Sequence, residues 1–100
     1  MDKALTFLGF ALRKRAVVKG FNAVAYQKRV NLLILCKTAS ENAVKEAKAL
    51  ATKMHAPLLS SNTPIEELVY KENCKLIAVT DKDLARAILE NAGETFVSME

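Results

Sequence analysis

NLLILC, residues 31–36, reads as a β-strand covered on both faces. Its five apolar residues in a row, Leu32 to Cys36, match strand length, and they do not alternate with polar residues as a half-exposed strand would. Downstream, Thr38 and Glu41 are spaced as a capping box, with Ser40 as a rival cap. The helix they open runs to about Met54. Ala43, Ala47, Leu50, Ala51 and Met54 form its inner stripe, and Lys45, Glu46, Lys48 and Lys53 face water. Pro57 stops it before a short strand at residues 58–60. Thr63-Pro64-Ile65-Glu66 places a cap, a first-turn proline and a reaching glutamate together, which predicts a short helix to about Tyr70. A polar loop, a buried strand at residues 76–79 and a last helix follow. Thr80 or Asp81 caps that helix, Leu84, Ala87, Ile88 and Ala92 line its inner face, and Gly93 ends it. Upstream, Leu5, Leu8 and Leu12 give helical spacing over residues 2–14, and Arg13, Lys14 and Arg15 suit a helix C-terminus. Residues 16–19 are β-prone, Gly20 breaks the chain, and Asn22 caps a second helix to about Arg29. Helices alternating with strands predict an α/β protein built as a three-layer α/β/α sandwich, while the pattern leaves strand order and direction open.

The chain has 100 residues, 51% hydrophobic and 26% charged, which suits one globular domain over residues 1–100. No apolar run approaches a membrane span, so no membrane partner is expected. Residues 2–12 mix polar and apolar side chains ahead of the basic cluster, unlike a secretory signal, and a cytoplasmic location is expected. Cys36 and Cys74 form no CxxC pair and are expected to be reduced thiols. The net charge of +4 is unevenly spread. Residues 1–31 carry seven cations against Asp2 alone, whereas residues 32–100 carry 8 basic and 10 acidic side chains. Such asymmetry predicts an anionic partner for the N-terminal third.

Catalytic patterns are weak. His55 is the single histidine, and a surface histidine at a helix end accounts for it. No spacing of Cys, His or carboxylate matches a metal site. The three glycines form no phosphate loop, so no cofactor is expected. The chain is expected not to be an enzyme; a cysteine nucleophile at Cys36 or Cys74 is the weakest alternative. Nucleic-acid binding has more residues behind it. At Lys19, Gly20 and Asn22 a strand meets a helix N-terminus, which offers N–H groups to phosphate or base edges. Gly20 permits close approach, the Asn22 amide both donates and accepts, and Lys28 and Arg29 follow two turns on. A turn glycine, an N-cap asparagine and solvated cations explain the same residues, so this pattern alone leaves both readings open.

LGFALRKRAVVKGFNAV, residues 8–24, and LLILCKTASEN, residues 32–42, resemble the YlxQ-type proteins of the ribosomal protein L-seven-Ae and L-thirty-e superfamily, which bind kink-turn RNA. Such chains typically read L-G-L-A-R-R-A-G-K-L-V-S-G and later D-A-S-E-N after an apolar strand. The resemblance runs from Leu5 to about Ala92. It implies an α/β/α sandwich around a four-stranded mixed sheet and an RNA surface of two pieces. The first is Lys19, Gly20, Phe21, Asn22 and Ala23. The second is the loop at residues 70–75, with Lys71 and Asn73. A sharply bent RNA crowds its phosphates, and cations relieve that repulsion. The chain departs from the pattern at Ala23, where relatives often carry Glu or Gln, and at Tyr26, where they often carry Lys. Lys28 or Arg29 can take that lysine's part, and the Tyr26 ring can stack on a base or sugar. Arg15 replaces the glycine of A-G-K, and the loop carries Lys71, Glu72 and Lys75 where relatives often have glycine and small apolar residues. The expectation is a monomeric accessory protein that binds a bent or kink-turn RNA, ribosomal RNA and the ribosome among its targets. Its contacts are Lys19, Gly20, Asn22, Lys28 and Arg29, with Arg13 and Arg15 as secondary phosphate contacts. The rival expectation is a non-catalytic protein-interaction module on the same fold.

Overall fold

A computed structural model describes residues 3–69, 74–93 and 95–99. The expected strand at residues 31–36 is β2 (Leu32–Cys36), buried at every position. It lies at the centre of a five-stranded mixed sheet of order β1-β4-β2-β3-β5. The strand β3 (Leu58–Ser61) pairs with it in parallel, and β4 (Leu76–Val79) pairs with it antiparallel. The edge strand β1 (Val17–Lys19) joins β4 antiparallel, Lys19 standing opposite Ile77. Because side chains alternate across a strand, β2 divides its residues between two cores. Leu32, Ile34 and Cys36 pack with Leu8 and Ala11 of α1 (Lys3–Arg13), Ile65 of α4 (Ile65–Val69) and Ile88 of α5 (Lys82–Glu90). Leu33 and Leu35 pack with Val24 of α2 (Phe21–Ala25) and with Ala47 and Ala51 of α3 (Glu41–Met54).

The sheet has five strands, not the expected four. The fifth, β5 (Phe96–Ser98), runs antiparallel to β3, and its Phe96 is fully buried in the first core. Burying that ring overrides the polar residues around it, which give no strand signal after Gly93. Caps shift as well. Ser40, not Thr38, caps α3, its hydroxyl accepting from the Ala43 N–H at 3.2 Å. The Thr38 hydroxyl lies instead 3.1 Å from both the Cys36 sulfur and the Lys75 ammonium. Asp81 caps α5 through the Leu84 N–H at 2.9 Å. Arg15 ends α1 at φ 61°, with the Ala16 N–H donating to Ala11 and its own N–H to Leu12. That bond pair is a Schellman stop, whose left-handed position glycine usually fills.

Candidate nucleic-acid interface

The junction at Gly20 is built by backbone conformation. Gly20 has φ 94° and ψ 152°, a region essentially reserved for glycine. Its N–H donates to the Leu76 carbonyl at 2.8 Å, and its carbonyl accepts from the Val24 N–H at 3.0 Å. A Cβ there would meet nothing within 4 Å, so the dihedral demands glycine and the space beside it is open. Gly20 is itself the N-cap of α2 and makes no side-chain cap bond. The expectation that Asn22 caps this helix is corrected: Asn22 is the second helical residue, exposed, with its amide unused among the described residues. The helix is also shorter than expected, ending at Ala25 and not near Arg29. The chain must leave it early because Val30 is buried and Asn31 is pinned, its N–H donating to Val79 and its amide to the Thr80 carbonyl at 2.7 Å. Five residues carry little macrodipole, so what this junction offers an anion is its side chains and open backbone.

Lys19 ties the junction to α4. Its ammonium donates to the carbonyl of Val69, the last residue of that helix, at 3.4 Å. With the Gly20–Leu76 bond, chain on either side of residues 70–73 is fastened to Lys19 and Gly20. Val69 and Leu76, which flank the second expected piece, are thus bonded to the first. Lys71 and Asn73 lie outside the described residues. Lys75, from the same expected loop, is half-buried and donates to Glu66 at 3.0 Å and to Thr38. The Glu66 carboxylate holds the Lys75 ammonium above its ordinary pKa. That pairing could not be foreseen, because it depends on where α4 lies against the start of β4.

The opposite end of the sheet gathers other cations. The Ala16 carbonyl accepts from the Thr80 N–H at 2.8 Å, and Thr80 in turn accepts from Asn31. Arg15 precedes Ala16 and Arg29 nearly precedes Asn31, so both stand at this end. Helix α2 leaves Gly20 at one end, and the chain returns through Asn31 at the other. Lys19 and Arg15 thus stand at the two ends of β1, and Lys28 and Arg29 follow α2, which packs on the second core. Lys28 and Arg29 are exposed in the turn after α2 and make no ion pair among the described residues. The sequence holds no carboxylate between residues 3 and 40, and the carboxylates at this end of the sheet are Asp81 and Asp83 at the start of α5. Lys14 is ion-paired with Asp81 of the α5 cap. Arg13 turns back onto its own helix, 4.9 Å above the Phe10 ring, with Nε donating to Gly9 at 3.4 Å. Phe21 is half-buried against the second core, while Ala23 and Tyr26 are exposed.

Both cysteines are buried. At Cys36, burial pushes the thiol pKa up most, but the Thr38 hydroxyl and N–H, the Ile65 N–H and the Lys75 charge together bring it below its ordinary value. His55 stands at the left-handed end of α3 and lines a separate groove with Pro57 and Met99. Among the described residues no group of His, Cys, Asp and Glu is arranged to hold a metal ion, and no helix is long and apolar enough to cross a membrane.

No family model and no curated protein matches the chain. A solved structure of a protein with unknown function from Bacillus halodurans is similar, with a TM-score of 0.75 and 23% identity, over 90% of this chain and 96% of that one. At that identity the likeness shows the fold.

Proposed function

We propose that this protein is a non-catalytic, cytoplasmic RNA-binding protein of YlxQ type that recognises a bent or kink-turn RNA, ribosomal RNA included. In this reading the two hydrophobic cores are the two interfaces of a three-layer α/β/α sandwich, and β5 is an addition to the family's four-stranded sheet. One observation carries it: the Lys19–Gly20 junction bonds to Val69 and Leu76, on either side of residues 70–73, within an N-terminal third that holds seven cations against Asp2 alone. Bent RNA is the ligand whose crowded phosphates such an excess of cations would relieve. Arg15 adds support. Its left-handed conformation falls where YlxQ-like chains carry the glycine of A-G-K. Lys19, Lys28, Arg29 and Arg15 position the backbone, and Gly20 and Asn22 approach the bases. The test is a calorimetric titration with a kink-turn RNA and with an unbent duplex of equal length at several salt concentrations. Tighter binding of the kink-turn at every salt concentration supports the reading; equal affinity refutes it.

A second reading, a protein-interaction module, draws on the exposed Ala23, where relatives carry a base-contacting Glu or Gln. Protein partners that persist in a pull-down after nuclease treatment would favour it, and their complete release would count against it.

A further inference from the structure

We propose that the exposed face of α2 holds one unpaired nucleotide by stacking its base on Tyr26, with little regard to which base it is. The inference rests on the RNA reading above and assigns the ligand of that surface at the level of a single nucleotide. Tyr26 is 88% exposed, against 44% for Phe10 and 46% for Val97. The Phe10 ring has partners, Phe7 edge-on and Arg13 above it. The Tyr26 ring has no aromatic or cation partner among the described residues, so both of its faces are open.

Its neighbours suit a nucleotide. Tyr26 keeps helical dihedrals (φ −81°, ψ −12°) as the C-cap of α2, so the four-residue spacing puts Asn22 on its face. Between them stands Ala23, exposed and small, which leaves room beside the ring for a planar group. The Asn22 amide donates and accepts, and so can meet the edge of any base. Lys28 and Arg29 follow in the turn, exposed and without carboxylate partners among the described residues, where the phosphates flanking a stacked base would lie. A protein anchor would need apolar surface around the ring, and here the neighbours in sequence are polar or small. Stacking uses a π-face that every base has, so it is tolerant of sequence and needs the base out of its helix.

The experiment titrates the full chain with a kink-turn RNA whose single unpaired bulge nucleotide is A, C, G, U or an abasic ribose. The four base-bearing RNAs should bind alike, and the abasic RNA about 5- to 150-fold more weakly, the range expected for loss of one stacked base. Tyr26→Ala should bind base-bearing RNA as weakly as wild type binds abasic RNA, and should lose nothing further on abasic RNA. Tyr26→Phe should keep the discrimination. The chain has no Trp and two Tyr, so in a Tyr70→Phe background Tyr26 is the only reporter. Its fluorescence should be quenched by base-bearing RNA and not by abasic RNA. Equal binding of all five RNAs, or an equal loss in Tyr26→Ala with and without the base, overturns the stacking while RNA recognition stands. If wild type binds none of the five better than an unbent duplex, the RNA reading itself fails and takes this inference with it.

Discussion

Gly20→Ala should destabilise the protein although the added methyl group touches nothing. The penalty comes from the backbone alone. At φ 94° and ψ 152° a residue bearing a Cβ is strained by about 1–3 kcal/mol. The reduced freedom of the unfolded chain returns about 0.4–1 kcal/mol. The net loss is about 1–2 kcal/mol, which for a domain of this size lowers Tm by roughly 5–15 °C. In urea the midpoint should fall by about 1 M at an unchanged slope. Far-UV circular dichroism follows the transition without need of tryptophan. Gly9→Ala supplies a control of opposite sign. Gly9 lies inside α1, and a Cβ there also meets nothing within 4 Å, but its dihedrals are helical. That substitution should stabilise the protein by about 0.5–1 kcal/mol. Two open positions with opposite responses isolate the dihedral as the cause. If Gly20→Ala unfolds at the wild-type midpoint, the junction is not held in the glycine region and the argument built on it fails.

Phe96→Ala should cost about 3–5 kcal/mol in denaturant unfolding, since the ring is fully buried in the first core; a loss below 1 kcal/mol would mean that β5 is not docked. Lys28→Ala and Arg29→Ala should each weaken RNA binding and reduce the slope of log K against log salt by about 1, while neither changes thermal stability. The Lys14–Asp81 pair should shape stability at both pH extremes. The Lys14 ammonium, and then the Leu84 N–H, holds the Asp81 carboxyl below its usual range, so its contribution is present above about pH 4 and lost as pH falls through the depressed value. Asp81 raises Lys14, whose contribution is present below its ordinary pKa and lost as pH rises through the raised one. Asp81→Asn keeps a cap acceptor for Leu84 and removes the pair, so its stability should vary less with pH below about pH 4 than that of wild type.

Features set by local chemistry were legible in the sequence. The five apolar residues of β2, the proline-led start of α4 and the apolar run of β4 each identify their element, because burial on both faces and caps act within a few residues. Features set by distant partners were not. The early end of α2 follows from Asn31 being pinned to Val79 and Thr80, some fifty residues away, and local propensity favours continuing the helix. The strand β5 depends on a slot for Phe96 beside β3, which the sequence around it does not reveal. The same division runs through the candidate site. Gly20 and the excess of cations are visible as residue types. The reach of Lys19 to Val69, the pairing of Lys75 with Glu66 and the withdrawal of Arg13 onto Phe10 needed the register of the sheet and the path of α4. Asn22 was expected to cap its helix, but Gly20 does so and leaves the amide unused among the described residues.

In the function proposed above, Lys19, Gly20 and Asn22 form one recognition point for bent RNA. Its most direct measurement is the affinity of Asn22→Ala for a kink-turn RNA and for an unbent duplex at one salt concentration. Asn22 is exposed and uncommitted among the described residues, so the variant should fold as wild type does. Kink-turn binding should weaken, with duplex binding unchanged. Equal affinities of wild type and Asn22→Ala for the kink-turn RNA would contradict it.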